Sequence, residues 1–314
     1  MSVKRAFTAF VGLCFVLCLV TGMATDATSH PPLETTEAAP SVVSCLGDSI
    51  TEGVPYAGTE NTYPARLQAM LDATYGSGNF EVINHGVGGY RADQVLAQTS
   101  NWMAEDNPDF ALLMVGGNDL LQETGGDPSK LPEVIDQTVA EVQAIVDVVT
   151  AHTNPDGSHP QIIVSAFPPN RLSGIGGSAA VALYNSSLES DLTGMDLWIT
   201  DNWDDFYDPG TGQAKESLMF DAVHPNAEGY MVMAENWFEA LSFLLVDFDG
   251  DGDVDVDDIM QVASRWRTSC DSPDPDNNPN TPNYESRYDL DHDCDIDIVD
   301  IMLVAAHWGE TCEG

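Results

Sequence analysis

The sequence predicts an α/β chain, a parallel sheet with helices on both faces, followed by a small acidic repeat unit. Three observations carry this. From Val42 onward, short apolar runs alternate with amphipathic segments, the signature of strand–helix–strand crossovers. Hydrophobic residues make up 43% of the 314, enough for a packed core. At Val246 the composition changes abruptly. Asp247 to Trp266 reads DFDGDGDVDVDDIMQVASRW and Asp289 to Trp308 reads DLDHDCDIDIVDIMLVAAHW, an internal repeat.

In chain order, residues 1–24 have the form of a signal peptide. Lys4 and Arg5 precede an apolar run from Ala6 to Val20, and Gly22-Met23-Ala24 offers a small-residue cleavage site. The run is too short for a comfortable membrane span, so a secreted protein with no transmembrane segment is expected. Residues 25–40, rich in Thr, Ala, Pro and Glu, read as a flexible lead-in. Strands are predicted at 41–46, 80–84, 109–115, 161–166 and 196–200. Helical patterns lie near 63–74, 92–104, 131–150, 178–191 and 226–245. The 131–150 segment shows the helical period: Leu131, Val134, Ile135, Thr138, Val139, Val142, Ile145, Val146 and Val149. The expected units are thus an α/β domain over 41–245 and a second unit over 246–314.

Charge narrows the partners. The chain carries 51 acids against 10 Lys and Arg, a formal net charge of −41. Such a surface repels nucleic acid and anionic membranes. Adaptation to salt and a supply of metal ligands are two readings of the excess. Beyond the leader four cysteines remain. Cys45, in a predicted core strand, is expected as a buried thiol. One disulfide is expected among Cys270, Cys294 and Cys312, its pairing open.

Four short motifs stand at the ends of predicted strands: Gly47-Asp48-Ser49, Asn84-His85-Gly86-Val87-Gly88-Gly89, Gly116-Gly117-Asn118-Asp119, and Asp221-Ala222-Val223-His224-Pro225. Ligands of parallel sheets sit beyond the carboxyl ends of the strands. A serine hydroxyl needs a base, and imidazole serves near neutral pH. A carboxylate on the other ring nitrogen fixes the tautomer. Asp221 lies three residues before His224, so one turn of chain presents both. The Ser49 N–H and the Asn118 amide are candidate donors to an oxyanion, and the glycines of the second motif let the backbone approach a substrate closely. His85 reads as a structural neighbour.

This ordered set resembles the SGNH (GDSL) hydrolase family over about residues 42–245. The resemblance implies Ser49 as nucleophile, Asp221 and His224 as acid and base, and Ser49, Gly89 and Asn118 as the oxyanion hole. It implies a flavodoxin-like three-layer fold and esterase, lipase or acetylesterase activity without a catalytic metal. The expected function is hydrolysis of small acyl esters, extending to acetyl groups on polysaccharide. A lipase or lysophospholipase is the rival enzyme, and an inactive binding component the rival class.

In the tail, each repeat places Asp at alternating loop positions. Copy one offers Asp247, Asp249, Asp251, Asp255 and Asp258, with Asp253 at the position that coordinates through its carbonyl. Copy two offers Asp289, Asp291, Asp293, Asp297 and Asp300, with Asp295 at that position. Oxygen ligands so spaced wrap one hard cation, as in an EF-hand loop, so two Ca²⁺ are expected. An apolar helix should follow each loop, ending near Trp266 and Trp308. The tandem resembles a type I dockerin, which implies a small all-α calcium-binding unit that docks on a cohesin-bearing scaffold protein. It departs at Cys294, where glycine is expected, and in a long inter-repeat segment.

Overall fold

The computed structural model describes residues 39–311. The expected leader and nearly all of the lead-in lie outside the described residues, as does Cys312. The elements follow in order: β1 (Ser41–Gly47), α1 (Ser49–Glu52), α2 (Tyr63–Tyr75), β2 (Phe80–Gly86), α3 (Ala92–Asp106), β3 (Phe110–Met114), α4 (Gly117–Gln122), α5 (Leu131–Ala151) and β4 (Gln161–Ser165). Then come α6 (Ser178–Asp191), β5 (Leu197–Ile199), α7 (Asp201–Asp204), β6 (Tyr207–Asp208), β7 (Gln213–Ala214), α8 (Ala227–Val246), α9 (Val256–Ala263) and α10 (Ile298–Ala305).

β1 to β5 form one parallel sheet in the order β2-β1-β3-β4-β5, the flavodoxin-like order. Every residue of β3 is buried, whereas edge strand β2 is mostly half-exposed; interior parallel strands are covered on both faces. α3 packs on α5 and α5 on α6, while α2 packs on α8. Val134, Ile135, Val139, Val142, Ile145, Val146 and Val149 of α5 are all buried, one apolar stripe against the sheet. Cys45 is a buried free thiol. Among the described residues, no helix is long and apolar enough to cross a membrane.

α8 runs directly into Asp247 and the acidic repeats. The helix after each loop is eight residues long, and Trp266 and Trp308 lie in turns beyond it. Short bridges, Asp253 with Thr311 and Ser269 with Asp295, tie the two copies together. The backbone repeats as the sequence does. Gly250 and Gly252 take φ of 71° and 90°, and their counterparts His292 and Cys294 take 55° and 78°. Cys294 thus holds a left-handed conformation that favours glycine, and it is bonded to Cys270, with Cα atoms 5.3 Å apart. The second copy also touches the sheet. Asn79 Nδ2 donates to Asp291 O at 2.8 Å, and the His292 ring stacks on Phe80 with centroids 5.7 Å apart.

Candidate active site and acidic loops

Chain reversals at the carboxyl ends of three adjacent strands build the site. β1 ends at Gly47, and Asp48 caps α1 by accepting from Ile50 N at 2.9 Å. This cap sets Ser49 at the first turn of the helix. Gly86, at the end of β2, lies against the Thr51–Glu52 backbone; a Cβ there would collide with Glu52 N. Glycine is therefore what lets the second motif approach the first. From the far end of the chain, Asp221 Oδ1 accepts from Val223 N and His224 N, each at 2.8 Å. That turn aims the imidazole across the sheet.

The three side chains meet. His224 Nδ1 lies 2.8 Å from Asp221 Oδ2, and His224 Nε2 lies 3.0 Å from Ser49 Oγ, across 175 residues of sequence. A carboxylate can only accept, so Nδ1 carries the ring proton and Nε2 presents its lone pair to the serine hydroxyl. Burial raises the Asp221 carboxyl, but the His224 ring and the Val223 and His224 N–H groups outweigh it, so its pKa lies below the usual carboxylate value. It stays ionised and keeps that tautomer.

The expected oxyanion donors gather at the same place. Among the described residues, no carbonyl or side chain accepts the Ser49 N–H or the Gly89 N–H. Asn118 Nδ2 donates to Tyr90 O at 2.9 Å and lies 3.4 Å from Asp48 Oδ2. Its first hydrogen is well engaged and its second only weakly. Glu52 stands close by: a Cβ on Gly88 would be 2.8 Å from Glu52 Oε2 and 4.0 Å from Ser49 Cβ. His85 bonds Asp106 at 2.6 Å and stacks on Trp102 with centroids 4.7 Å apart, a structural role as expected.

Sequence reasoning missed two buried acids beside the site. Burial pushes the Asp48 carboxyl up to about 7, against the Ile50 N–H and the His224 ring. Burial likewise pushes Asp119 up to about 7, although both of its oxygens accept from Ala92 N, at 3.1 and 3.2 Å. Neither role is visible in the motifs, where both residues pass as turn formers. Gln122, one helical turn beyond Asn118, was also missed. Its only signal was that i, i+4 spacing.

In the acidic loops, Asp247, Asp249 and Asp258 bring carboxylate oxygens within 4.8 Å of one another, and so do Asp289, Asp291 and Asp300. These are loop positions 1, 3 and 12. Asp251, Asp253, Asp293 and Asp295 follow along each loop outside the tight trio, while Asp255 and Asp297 serve as helix N-caps. Asp258 and Asp300 are buried and anchored from both sides. Each accepts from one backbone N–H early in its loop at 2.7 Å and from its N-cap N–H at 2.8 Å. Burial pushes Asp300 up to about 6, with Asp291 and Asp289 adding to the rise. Asp291 Oδ1 is buried with no hydrogen-bond partner. Converging hard oxygens, one of them unpartnered, are a donor set that fits a divalent cation.

A family described as GDSL-like Lipase/Acylhydrolase has a model that matches residues 45–232. Among solved structures, the lipase Lip_vut3 from a goat rumen metagenome superimposes with a TM-score of 0.53 at 20% identity, covering 64% of this chain and 97% of its own. A carbohydrate acetylesterase family member from Sinorhizobium meliloti gives 0.47 at 18% identity, over 64% and 97%. The esterase EstA from Pseudoalteromonas sp. gives 0.48 at 16%, over 65% and 98%. At such identities the likeness is one of fold. No curated protein matches the chain.

Proposed function

The chain belongs to the GDSL-like lipase/acylhydrolase family and is a carboxylic ester hydrolase, and from this premise we propose that Ser49, His224 and Asp221 carry the reaction. The observation behind this is the continuous line from Asp221 Oδ2 through His224 to Ser49 Oγ, at 2.8 and 3.0 Å. Ser49 Oγ attacks the ester carbonyl carbon as His224 Nε2 takes its proton. The oxyanion is met by the N–H groups of Ser49 and Gly89 and by the weakly held hydrogen of Asn118. Such donors are worth roughly 3–4 kcal/mol each at comparable sites. The intermediate collapses, the alcohol leaves with the proton from His224, and an acyl ester remains on Ser49. Water then attacks that ester with His224 as base, releasing the acid and restoring the serine.

We propose that the substrates are small acyl esters on polar alcohols, with acetylated polysaccharide the natural class. The Glu52 carboxylate beside Gly88 and Ser49 supports this, since a charged wall disfavours a long hydrocarbon chain. A lipase or lysophospholipase is the competing reading. Purified protein assayed on p-nitrophenyl acetate, p-nitrophenyl palmitate and acetylated xylan, beside Ser49→Ala, decides. Activity on acetate and xylan that Ser49→Ala abolishes is expected. Preference for palmitate would favour the lipase, and an active Ser49→Ala would remove the mechanism.

We propose that the protein is exported; the leader pattern and the Cys270–Cys294 disulfide both support it. Each acidic loop is proposed to hold one Ca²⁺, through Asp247, Asp249 and Asp258 with Asp251 and Asp253 nearby, and through Asp289, Asp291 and Asp300 with Asp293 and Asp295 nearby. A scaffold partner of the cohesin kind is proposed for the exposed apolar residues Met260, Trp266, Met302 and Trp308, which the repeat pairs at equivalent positions. Titration calorimetry with Ca²⁺ and a pull-down with a cohesin test these two readings separately.

A further inference from the structure

Gly89, the backbone donor proposed above, is the third residue of a turn closed by Tyr90 N donating to Val87 O at 3.1 Å. Its φ is +80°, and a Cβ at Gly89 would meet nothing within 4 Å. Packing therefore does not fix this peptide; hydrogen bonds must. Besides the turn's own bond, they come from one short helix. On α4, Asn118 Nδ2 donates to Tyr90 O at 2.9 Å, and Asp119 accepts from Ala92 N at 3.1 and 3.2 Å. Gln122 Nε2 donates to Gly89 O at 3.1 Å. The Gln122 amide orientation is set by its partners, because its Oε1 faces the Arg91 guanidinium, 3.5 Å from Nη1. Gly89 O, Tyr90 O and Ala92 N are thus each held by a different side chain of α4. Of the three, Gln122 alone holds Gly89 itself.

We propose that Gln122 is a positioning residue: by holding Gly89 O it fixes the Gly89–Tyr90 peptide, and this keeps the adjoining Gly88–Gly89 peptide, with its Gly89 N–H, facing the oxyanion when it forms. This rests on the proposed roles of Ser49 and Gly89. Gln122 touches no reacting atom and acts only through Gly89. Without that bond only the turn restrains Gly89, whose glycine backbone lets the neighbouring peptides reorient, and the donor is absent for part of the time. The loss belongs to the transition state, because the oxyanion exists only there.

The test uses the full chain on p-nitrophenyl acetate with Gln122→Ala, Gln122→Glu and Ser49→Ala. Gln122 is exposed, so the variants should fold, and thermal unfolding checks this. Gln122→Glu keeps the size of the side chain but replaces the donor with a second acceptor. A space-filling role would tolerate it. The expected result is a kcat about tenfold lower in both Gln122 variants, with KM and Tm unchanged and phosphonate inactivation slowed in parallel. A kcat within twofold of wild type, or a loss seen in Gln122→Ala but absent from Gln122→Glu, overturns the inference. With Ser49→Ala inactive, such a result leaves the catalytic reading standing. An active Ser49→Ala overturns both.

Discussion

Asp119 is fully buried and accepts from a single backbone N–H, and this has a consequence for pH. Burial raises its pKa to about 7 in the folded protein, against about 3.9 for a free side chain. A carboxyl raised in this way binds its proton more tightly folded than unfolded. Its contribution to stability is therefore full below about pH 4 and is lost as pH rises through 7. Asp119→Asn, which retains an acceptor for Ala92 N, should show a smaller fall in Tm between pH 4 and 7 than wild type. Thermal unfolding at several pH values checks it, and equal slopes would count against the buried-acid account. Asp221 works the other way. Its lowered pKa keeps it charged beside His224, so Asp221→Asn, which lets the ring take the wrong tautomer, should lower kcat by about 10³–10⁴-fold with the fold intact by circular dichroism. The meeting of Ser49, Asp221 and His224 was legible in the sequence because hydroxyl, carboxylate and imidazole are the groups that ester hydrolysis demands, but the strand-end placement holds only for Ser49, after β1; the Asp221–His224 turn instead precedes α8. Asp48, Asp119 and Gln122 were not legible. Their roles depend on which backbone groups the fold brings beside them, and no spacing along the chain encodes that.

At the level of elements, the five strands were readable as short apolar runs between amphipathic segments, and the five long helices because each buries a face with a regular period. α5 is the clearest case: Ile145 and Val149, one turn apart, are completely buried, and Asp147, between them on the opposite side of the helix, is exposed. Ile145→Ala should cost about 2–5 kcal/mol by leaving a cavity under α5, measurable by urea denaturation, whereas an exposed alanine substitution at Gln137 should cost less than about 0.5 kcal/mol. The short helices α1, α4 and α7 escaped prediction because four to six residues do not complete an amphipathic pattern. The tail helices were expected to reach the tryptophans but stop at Ala263 and Ala305. The chain turns there into residues with positive φ, Arg267 at 69° and Gly309 at 79°, equivalent positions in the two copies. The apolar residues of this segment divide: Val262 and Val304 are buried. Met260 and Met302 are 60% and 63% exposed. Each tail helix is closed at its start by a reciprocal cap, Asp255 with Asp258 and Asp297 with Asp300. Asp297→Ala should destabilise α10 by about 1 kcal/mol, seen as lost helical signal on mild heating.

Across the whole molecule, the second acidic loop and the sheet share contacts through Asn79–Asp291 and Phe80–His292. A cation that organises Asp289, Asp291 and Asp300 would therefore also steady the start of β2. Binding at 100 times Kd adds about 2.7 kcal/mol to a folded state, so EDTA should lower the Tm of the α/β body as well as that of the tail. In Asn79→Ala the body should become less sensitive to chelation, which scanning calorimetry would register as two separating transitions. The same contacts also fix a direction. They lie where β2 begins, whereas Ser49, Gly89 and Asn118 lie past the opposite ends of their strands, roughly 20 Å away along a seven-residue strand. An anchor gripping the tail would hold the enzyme by its foot, with its mouth turned outward toward whatever lies beyond the anchoring surface.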